Sequence, residues 1–283
     1  MGNYTNKHFY PDFICNLLTY NPYTRGTEPS DISVTQLIDS PQVLQLRKKH
    51  RDDIVEDVSD RIWAIYGSAV HAIVEAANLS SGNILTEKRL YHKYGDHIVT
   101  GQYDVYDTKE KALYDFKTVS SWSLIRGAKE SWVNQLNILA DLLRRNGWEV
   151  NSLSIAALGR NWEEKTAKNN SSYPDKAIMM YNIDMWDEEK TETYINQRLQ
   201  AHFFNDPICT KEEMWATDEK WAVMKNGRSR AVKLFDSEFS ANEFLVDQKD
   251  QNKLWVEHRS GHNMRCDRYC NVSRFCKQYN RRL

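Results

Sequence analysis

"HIVTGQYDVYDTKEKALYDFKTVSSW" (residues 97–122) carries two runs of alternating or apolar residues on either side of the turn-forming "DTKEK". Such runs predict strands, and the polar interruption predicts a hairpin joining them. In the second run Asp115 and Lys117 stand two apart, so both point to one side of an extended chain. Asp104 lies near the end of the first run, on the partner strand. Two carboxylates converging from adjacent strands suit a hard cation such as Mg²⁺, which takes a few carboxylate oxygens and keeps waters. A lysine on the same side is placed to hold or help deprotonate a water and to offset charge on a phosphate. Taken alone, an Asp-x-Lys triplet also describes a surface ion pair worth little.

The flanking sequence adds weight. Upstream, "ILTEKRLYHKYG" (residues 84–95) reads as a further strand, joined to the first run through "YG". Before it, "VSDRIWAIYGSAVHAIVEAA" (residues 58–77) sets Val58, Ile62, Ile65, Tyr66, Ala69, Ile73, Ala76 and Ala77 at steps of three and four, an amphipathic helix. Gly67, His71 and Glu75 recur every four residues and share one face, the glycine permitting close approach to the sheet. An imidazole and a carboxylate in mostly apolar company are costly unless paired or metal-bound.

Downstream, "SWVNQLNILADLLRRNG" (residues 131–147) returns to helical spacing and ends at Gly147. Two more strands are predicted in "EVNSLSIAALGRNW" (149–162) and "KAIMMYNIDMW" (176–186), separated by a polar loop. "DEEKTETYINQRLQAHFF" (187–204) then reads as a charged amphipathic helix. At the other end, Ser33 or Thr35 can cap a short helix and Pro41 can begin the next. The order helix, three strands, helix, two strands predicts an α/β domain over residues 31–283, preceded by an extension of residues 1–30.

Composition sets the outer limits. A chain of 283 residues with 41% hydrophobic content can bury a large core and is not disordered throughout. It has no apolar run of the roughly 18 residues that span a bilayer, and its start lacks the regions of a secretory signal. Asn6 stands where a myristoylation signal wants Ser or Thr. A cytoplasmic protein with no membrane partner is expected. The formal net charge of -1 gives no general attraction to nucleic acid, but it hides an asymmetry. Between His262 and Leu283, Arg265, Arg268, Arg274, Lys277, Arg281 and Arg282 face the single acid Asp267. This tail, "KKHR" (48–51) and "KNGRSRAVK" (225–233) suit a phosphate backbone or simply a solvated face. Trp122, Trp132, Trp215, Trp221 and Trp255 offer faces for stacking bases, though tryptophans more often pack in cores and none is assigned.

In its order and spacing, the series "GSAVHAIVE", "TGQYDVYD", "YDFKT" and "NQLNILADLLRRNG" resembles the PD-(D/E)XK nuclease superfamily, in particular its RecB-type exonuclease branch. The likeness covers roughly residues 31–160, and "SVTQLIDSP" is similar to the segment that opens such domains. It implies a restriction-endonuclease-like core, a mixed central sheet flanked by helices, and a metal-dependent deoxyribonuclease acting on DNA with Mg²⁺ or Mn²⁺. It makes His71, Asp104 and Asp115 metal ligands, with the backbone carbonyl of Phe116 beside them, and Lys117 the catalytic lysine. Glu75 becomes a supporting or second-metal group, and Gln135 matches the family's glutamine on the following helix. Four residues on, the branch often has tyrosine and this chain has Leu139.

The C-terminal "CDRYCNVSRFC" sets Cys266, Cys270 and Cys276 close together, as for a soft metal or a cluster that takes its fourth ligand elsewhere. Several RecB-type nucleases look similar here and close on a [4Fe-4S] cluster, whose distant cysteine often lies near the domain's opening. Ser40 occupies the comparable region, so Cys209 is the first choice for that ligand and Cys15 the second. Zn²⁺ held by these residues, with His262, is the competing reading. A non-catalytic DNA-binding or assembly module that keeps the fold is the alternative to an enzyme, and such a module is free to lose the acidic and lysine set that this chain retains.

Overall fold

The computed structural model describes residues 3–20, 28–78, 82–204 and 206–280. Arg281 and Arg282 of the basic tail lie outside them. The chain forms two compact units, Met1–Leu44 with Asp52–Pro207, and Gln45–Arg51 with Ile208–Leu283. No described helix is long and apolar enough to cross a membrane.

The first unit opens with β1 (Asn3–Thr5) and α1 (Asp12–Thr19). Strand β2 (Ile32–Ser33) leads into the short α2 (Val34–Leu37) and then α3 (Pro41–Lys49), whose residues from Gln45 onward belong to the second unit; β3 (Val55–Asp57) returns to the first and pairs in parallel with β1. Ser33 caps α2 in a reciprocal box with Gln36. A 3-10 turn (Val58–Arg61) precedes α4 (Ile62–Asn78). Strands β4 (Ile84–Thr86), β5 (Arg89–Tyr94), β6 (His97–Gln102), β7 (Val105–Asp107) and β8 (Ala112–Val119) follow. Helix α5 (Glu130–Arg145) crosses over to β9 (Ser152–Gly159), and α6 (Glu164–Asn169), β10 (Ile178–Ile183) and α7 (Glu188–Phe203) complete the unit. The fold is a mixed α/β one, with a five-stranded sheet in the order β10-β9-β8-β7-β4 and a three-stranded sheet in the order β2-β6-β5. Only the β8–β9 pair in the larger sheet is parallel, because α5 carries the chain back between them.

Three expectations need correction. Residues 84–95 and 97–107 are not single strands, since each breaks in the middle, at Glu87–Lys88 and at Tyr103–Asp104. Glu87 has φ +51, which no strand continues through. The backbone pairing survives the break, because Glu87 N–H donates to Asp104 O at 3.1 Å and Tyr103 N–H to Lys88 O at 3.2 Å. One long hairpin therefore passes from the smaller sheet to the larger. The polar loop after β9 contains a helix, α6, whose Ala167 N–H reaches back to Glu163 O.

The third correction concerns α4. Its predicted apolar stripe is outward, with Ile62, Tyr66 and Ile73 exposed, while Ile65, Gly67, Val70, His71 and Val74 are half-buried. The pairing of His71 with carboxylates on the hairpin sets the rotation of this helix in place of its most apolar side. Gly67 is also not sterically required, for a Cβ there would meet Thr118 Oγ1 at an ordinary 3.9 Å.

Helix α5 is the centre of the core, with Leu136, Ile138, Leu139, Leu142 and Leu143 shut off from solvent. It lies directly on β6, where a Cβ on Gly101 would come within 2.6 Å of Leu139 Cδ2 and 2.8 Å of Val34 Cγ2. Helix α7 packs Thr191, Ile195, Leu199 and His202 inward at helical spacing. Arg198 Nε donates to Leu37 O at 2.9 Å, and His202 Nε2 lies 3.0 Å from the same carbonyl, which answers orphan acceptors at the end of α2.

The second unit holds the antiparallel sheet of β11 (Lys220–Lys225), β12 (Lys233–Phe235) and β13 (Leu254–Arg259), in the order β12-β11-β13. Helix α8 (Glu238–Val246) lies between the last two in sequence, and α9 (Met264–Arg268) and α10 (Lys277–Asn280) end the described chain.

The two glycines should separate in a mutational test. Gly101→Ala overpacks a closed contact and is expected to destabilise by about 1–3 kcal/mol, whereas Gly67→Ala in an open helix should be neutral or stabilising by up to ~1 kcal/mol. Denaturant midpoints of the two variants check this, and equal losses would refute the packing argument.

Candidate active site

The break in the hairpin places charged groups where a continuous strand would have placed a ladder. Asp104, 7% exposed, accepts the Phe116 N–H on Oδ2 at 2.6 Å, tying the break to β8. Its Oδ1 stands 3.4 Å from His71 Nδ1. Glu87, directly across the hairpin, meets the same His71 Nδ1 at 3.0 Å through Oε1, and its Oε2 accepts from Gln102 Nε2 at 2.5 Å. Among the described residues, His71, Glu87 and Asp104 are the group of three metal-type donors whose atoms lie within 4.8 Å of one another.

On β8, Asp115 is 2% exposed and Lys117 lies on the same side of the strand. Lys117 Nζ donates to Asp115 Oδ1 at 3.1 Å and to Gln135 Oε1, from α5, at 2.9 Å. The lysine also stands 2.8 Å from Asp115 Oδ2, so both oxygens of this buried carboxylate face the ammonium. All of these side chains open on one cleft of about 360 Å³, floored in part by Leu139.

The electrostatics are those of a site with too much negative charge for its burial. Burial, and then the like charge of Asp115, push Asp104 up from 3.8 to about 7. The hydrogen bond to Glu87 raises His71, against its own desolvation, and the charges of Asp104, Glu87 and Asp115 raise it further. Protons on these groups offset part of the charge. A hard divalent cation fits the same donor set, an imidazole and carboxylates whose atoms converge within 4.8 Å.

The cleft brings together His71, Asp104, Asp115, Lys117 and Gln135, all named from sequence. Glu75 is not among its lining residues and is exposed on α4, a turn beyond His71. What the structure records for Phe116 is its N–H on Asp104. Glu87 and Arg89 line the cleft and were missed. The signal was available in the hairpin register: with Tyr94 opposite His97, counting back in step puts Arg89 opposite Gln102 and Glu87 opposite Asp104.

The cysteines are a separate matter. None of the five forms a disulfide. Cys209, Cys266, Cys270 and Cys276 all belong to the second unit, and Cys15 to the first. Gln278 clamps the Cys209 backbone, accepting its N–H and donating to its carbonyl, both at 2.9 Å. Burial raises the Cys266 thiol, and so do the neighbouring Cys270 and Cys276. Among the described residues no three of these sulfurs, with or without His262, fall within 4.8 Å of one another, wider than ligands around one zinc with bonds of about 2.3 Å.

No family model and no curated protein matches the chain. Similar solved structures include SSO0001 at 17% identity, TM-score 0.48, covering 69% of this chain and 87% of that one. An alkaline exonuclease (LHK-Exo) from Laribacter hongkongensis is 12% identical with TM-score 0.35, covering 49% of this chain and 67% of that one. A phage-related exonuclease from Haemophilus somnus 129PT is 10% identical with TM-score 0.30, covering 67% and 75%. Likeness this distant carries no argument of its own, and the functional reading rests on the site.

The pKa directions fix the sign of a pH effect. In the folded protein Asp104 keeps its proton up to about pH 7, whereas the unfolded chain releases it near 3.8. The native state thus binds more protons across that window, and stability falls as pH rises through it; His71, also raised, loses its contribution as pH passes its folded value. Chelator-treated wild type should melt lower at pH 8 than at pH 5.5, with Asp104→Asn shrinking that difference by on the order of 1 kcal/mol, or about 2–4 °C. Added Mn²⁺ should raise the melting temperature of the wild type at pH 8 and not that of the variant. The same pH dependence in both proteins would rule Asp104 out as the seat of the strain.

Proposed function

We propose that this chain is a metal-dependent nuclease of the PD-(D/E)XK kind, RecB-type in its order of motifs, that hydrolyses DNA phosphodiester bonds and acts as an exonuclease. The observation that carries the reading is the convergence of His71, Glu87 and Asp104, their donor atoms within 4.8 Å of one another, on a cleft shared with buried Asp115 and with a lysine held by Gln135. A structural ion pair needs one acid and one base, whereas here three carboxylates and an imidazole crowd one cleft with a single lysine among them, and Asp104 is pushed up to about 7.

Mg²⁺ or Mn²⁺ would be held by His71, Asp104 and Asp115, with the Phe116 carbonyl alongside and Glu87 in the place first given to Glu75. When bound, the ion supplies Lewis-acid polarisation of the phosphate and an acidified water. Glu87 fixes the ring of His71 through Nδ1, as carboxylate partners of ligating histidines do. Asp104 is oriented by the Phe116 N–H, so its carboxylate does not need to reorganise when substrate arrives. Gln135 holds the Lys117 ammonium over the carboxylates, where it orients the attacking water and stabilises charge growing on the phosphate. Leu139 stands in the lining where the branch often has tyrosine, so no aromatic hydroxyl is assigned a DNA contact at that position.

A [4Fe-4S] cluster on Cys209, Cys266, Cys270 and Cys276 belongs to the same proposal. The Gln278 clamp, which holds Cys209 to a helix that begins one residue after Cys276, supports it. Anaerobically purified protein should then contain iron and absorb broadly in the blue, whereas zinc in colourless protein would remove this part.

Labelled single- and double-stranded DNA with Mn²⁺ tests the catalytic reading. Lys117→Ala and Gln135→Ala should both slow cleavage, the first by about 10²–10⁴-fold and the second less, since it acts through the lysine. Intact DNA under wild-type conditions, or a Lys117→Ala protein that cuts as well as its parent, would sink the proposal.

A further inference from the structure

Arg89 is the cation of the cleft that the proposed chemistry leaves unused. It lines the cleft, is half-buried, and sits on β5 opposite Gln102 of β6. Its Nη2 donates to Gln102 Oε1 at 2.9 Å, while Gln102 Nε2 donates to Glu87 Oε2 at 2.5 Å. Both ends of the amide are thus committed, and the guanidinium is held over its own pair of residues. Among the described residues no carboxylate lies within ion-pair distance of it, whereas Lys117 is matched by Asp115. A half-buried guanidinium of this kind wants an anion, and its planar fork fits the two free oxygens of a phosphate.

Position along the hairpin says which phosphate. Glu87 and Asp104 face each other at the break, and Arg89 and Gln102 form a pair two residues further along. Two residues of extended chain span roughly 6–7 Å of backbone, and the Gln102 amide bridges the guanidinium to the Glu87 carboxylate. Resting on the nuclease reading above, we propose that Arg89 forms a subsite for the backbone phosphate adjacent to the scissile one. Gln102 is its positioning residue, fixing the guanidinium and, through Glu87, the ring of His71. The subsite admits a strand that continues past the bond being cut and discriminates against a substrate that is neutral at that place.

Oligonucleotides with a single methylphosphonate, which removes one backbone charge, test this when the neutral linkage is moved one position to either side of the cut. For wild type, one of these two placements should raise KM about 10- to 100-fold, as expected for a lost charge-assisted hydrogen bond. Arg89→Ala should raise KM on unmodified DNA by a similar factor with little change in kcat, and should suffer no further loss from that neutral linkage. Arg89→Lys keeps the charge without the fork and should fall between. In an Asp115→Asn background without added metal, fluorescence anisotropy of a bound oligonucleotide reads the same subsite without turnover. There Arg89→Ala should weaken binding and reduce the slope of log Kd against log salt by about 0.7. If the neutral linkage harms Arg89→Ala as much as wild type, or the salt slope does not change, the assignment is wrong. A protein that binds DNA through Arg89 in this assay but never cuts it would overturn the catalytic reading and leave the subsite standing.

Discussion

Glu87 and Asp104 face each other across one long hairpin, and the first unit is arranged around that pair. Backbone hydrogen bonds keep the two strands together there even though Glu87 leaves the extended region. One consequence is architectural, since the hairpin serves a small sheet on one side of the break and the larger sheet on the other. Another is chemical, because residues at a break are released from strict alternation and both acids can turn toward α4. The Phe116 N–H then fastens Asp104 to β8, which carries Asp115 and Lys117. This bond extends the β7–β8 ladder, in which Val105 pairs with Tyr114, by one side-chain contact.

The site is therefore built against its own stability. Three largely buried carboxylates converge with a histidine, and the surroundings raise the proton affinity of Asp104 and His71. Such an arrangement persists because the surrounding structure over-determines it. Here the determinants are the hairpin ladder below, the leucine-rich face of α5 beside it, and the Lys117–Gln135 contact. Strain of this kind is relieved by a cation, so binding free energy of the ion and folding free energy are linked quantities.

Much of this was legible in the sequence. The strand carrying Asp115 and Lys117, the helix carrying His71 and the helix carrying Gln135 all follow from spacing alone, because each is long enough for its period to dominate. The breaks in the hairpin were not legible, since "TEK" and "YD" carry no glycine or proline to mark them. The weak strand preference of Glu, Lys and Asp was the one local sign, too slight to place a break. The outward stripe of α4 misled for a related reason: a period identifies an apolar side, but polar pairing at His71 decided which side faced the sheet. Glu87 was hidden by a one-strand-at-a-time reading and becomes visible once the register is carried through the turn at Tyr94 and His97. The second unit offered only short runs, too brief for period to distinguish its strands.

Leu139 shows how closely floor and wall are joined. Its side chain fills the space that a Cβ on Gly101 would claim, and it also borders the cleft. Gly101 lines that cleft as well, so the leucine fills the room beside the glycine and faces the open space at once. The missing side chain of one strand residue therefore sets how far a residue of α5 can withdraw from the cleft, and any larger side chain at position 101 would have to displace Leu139.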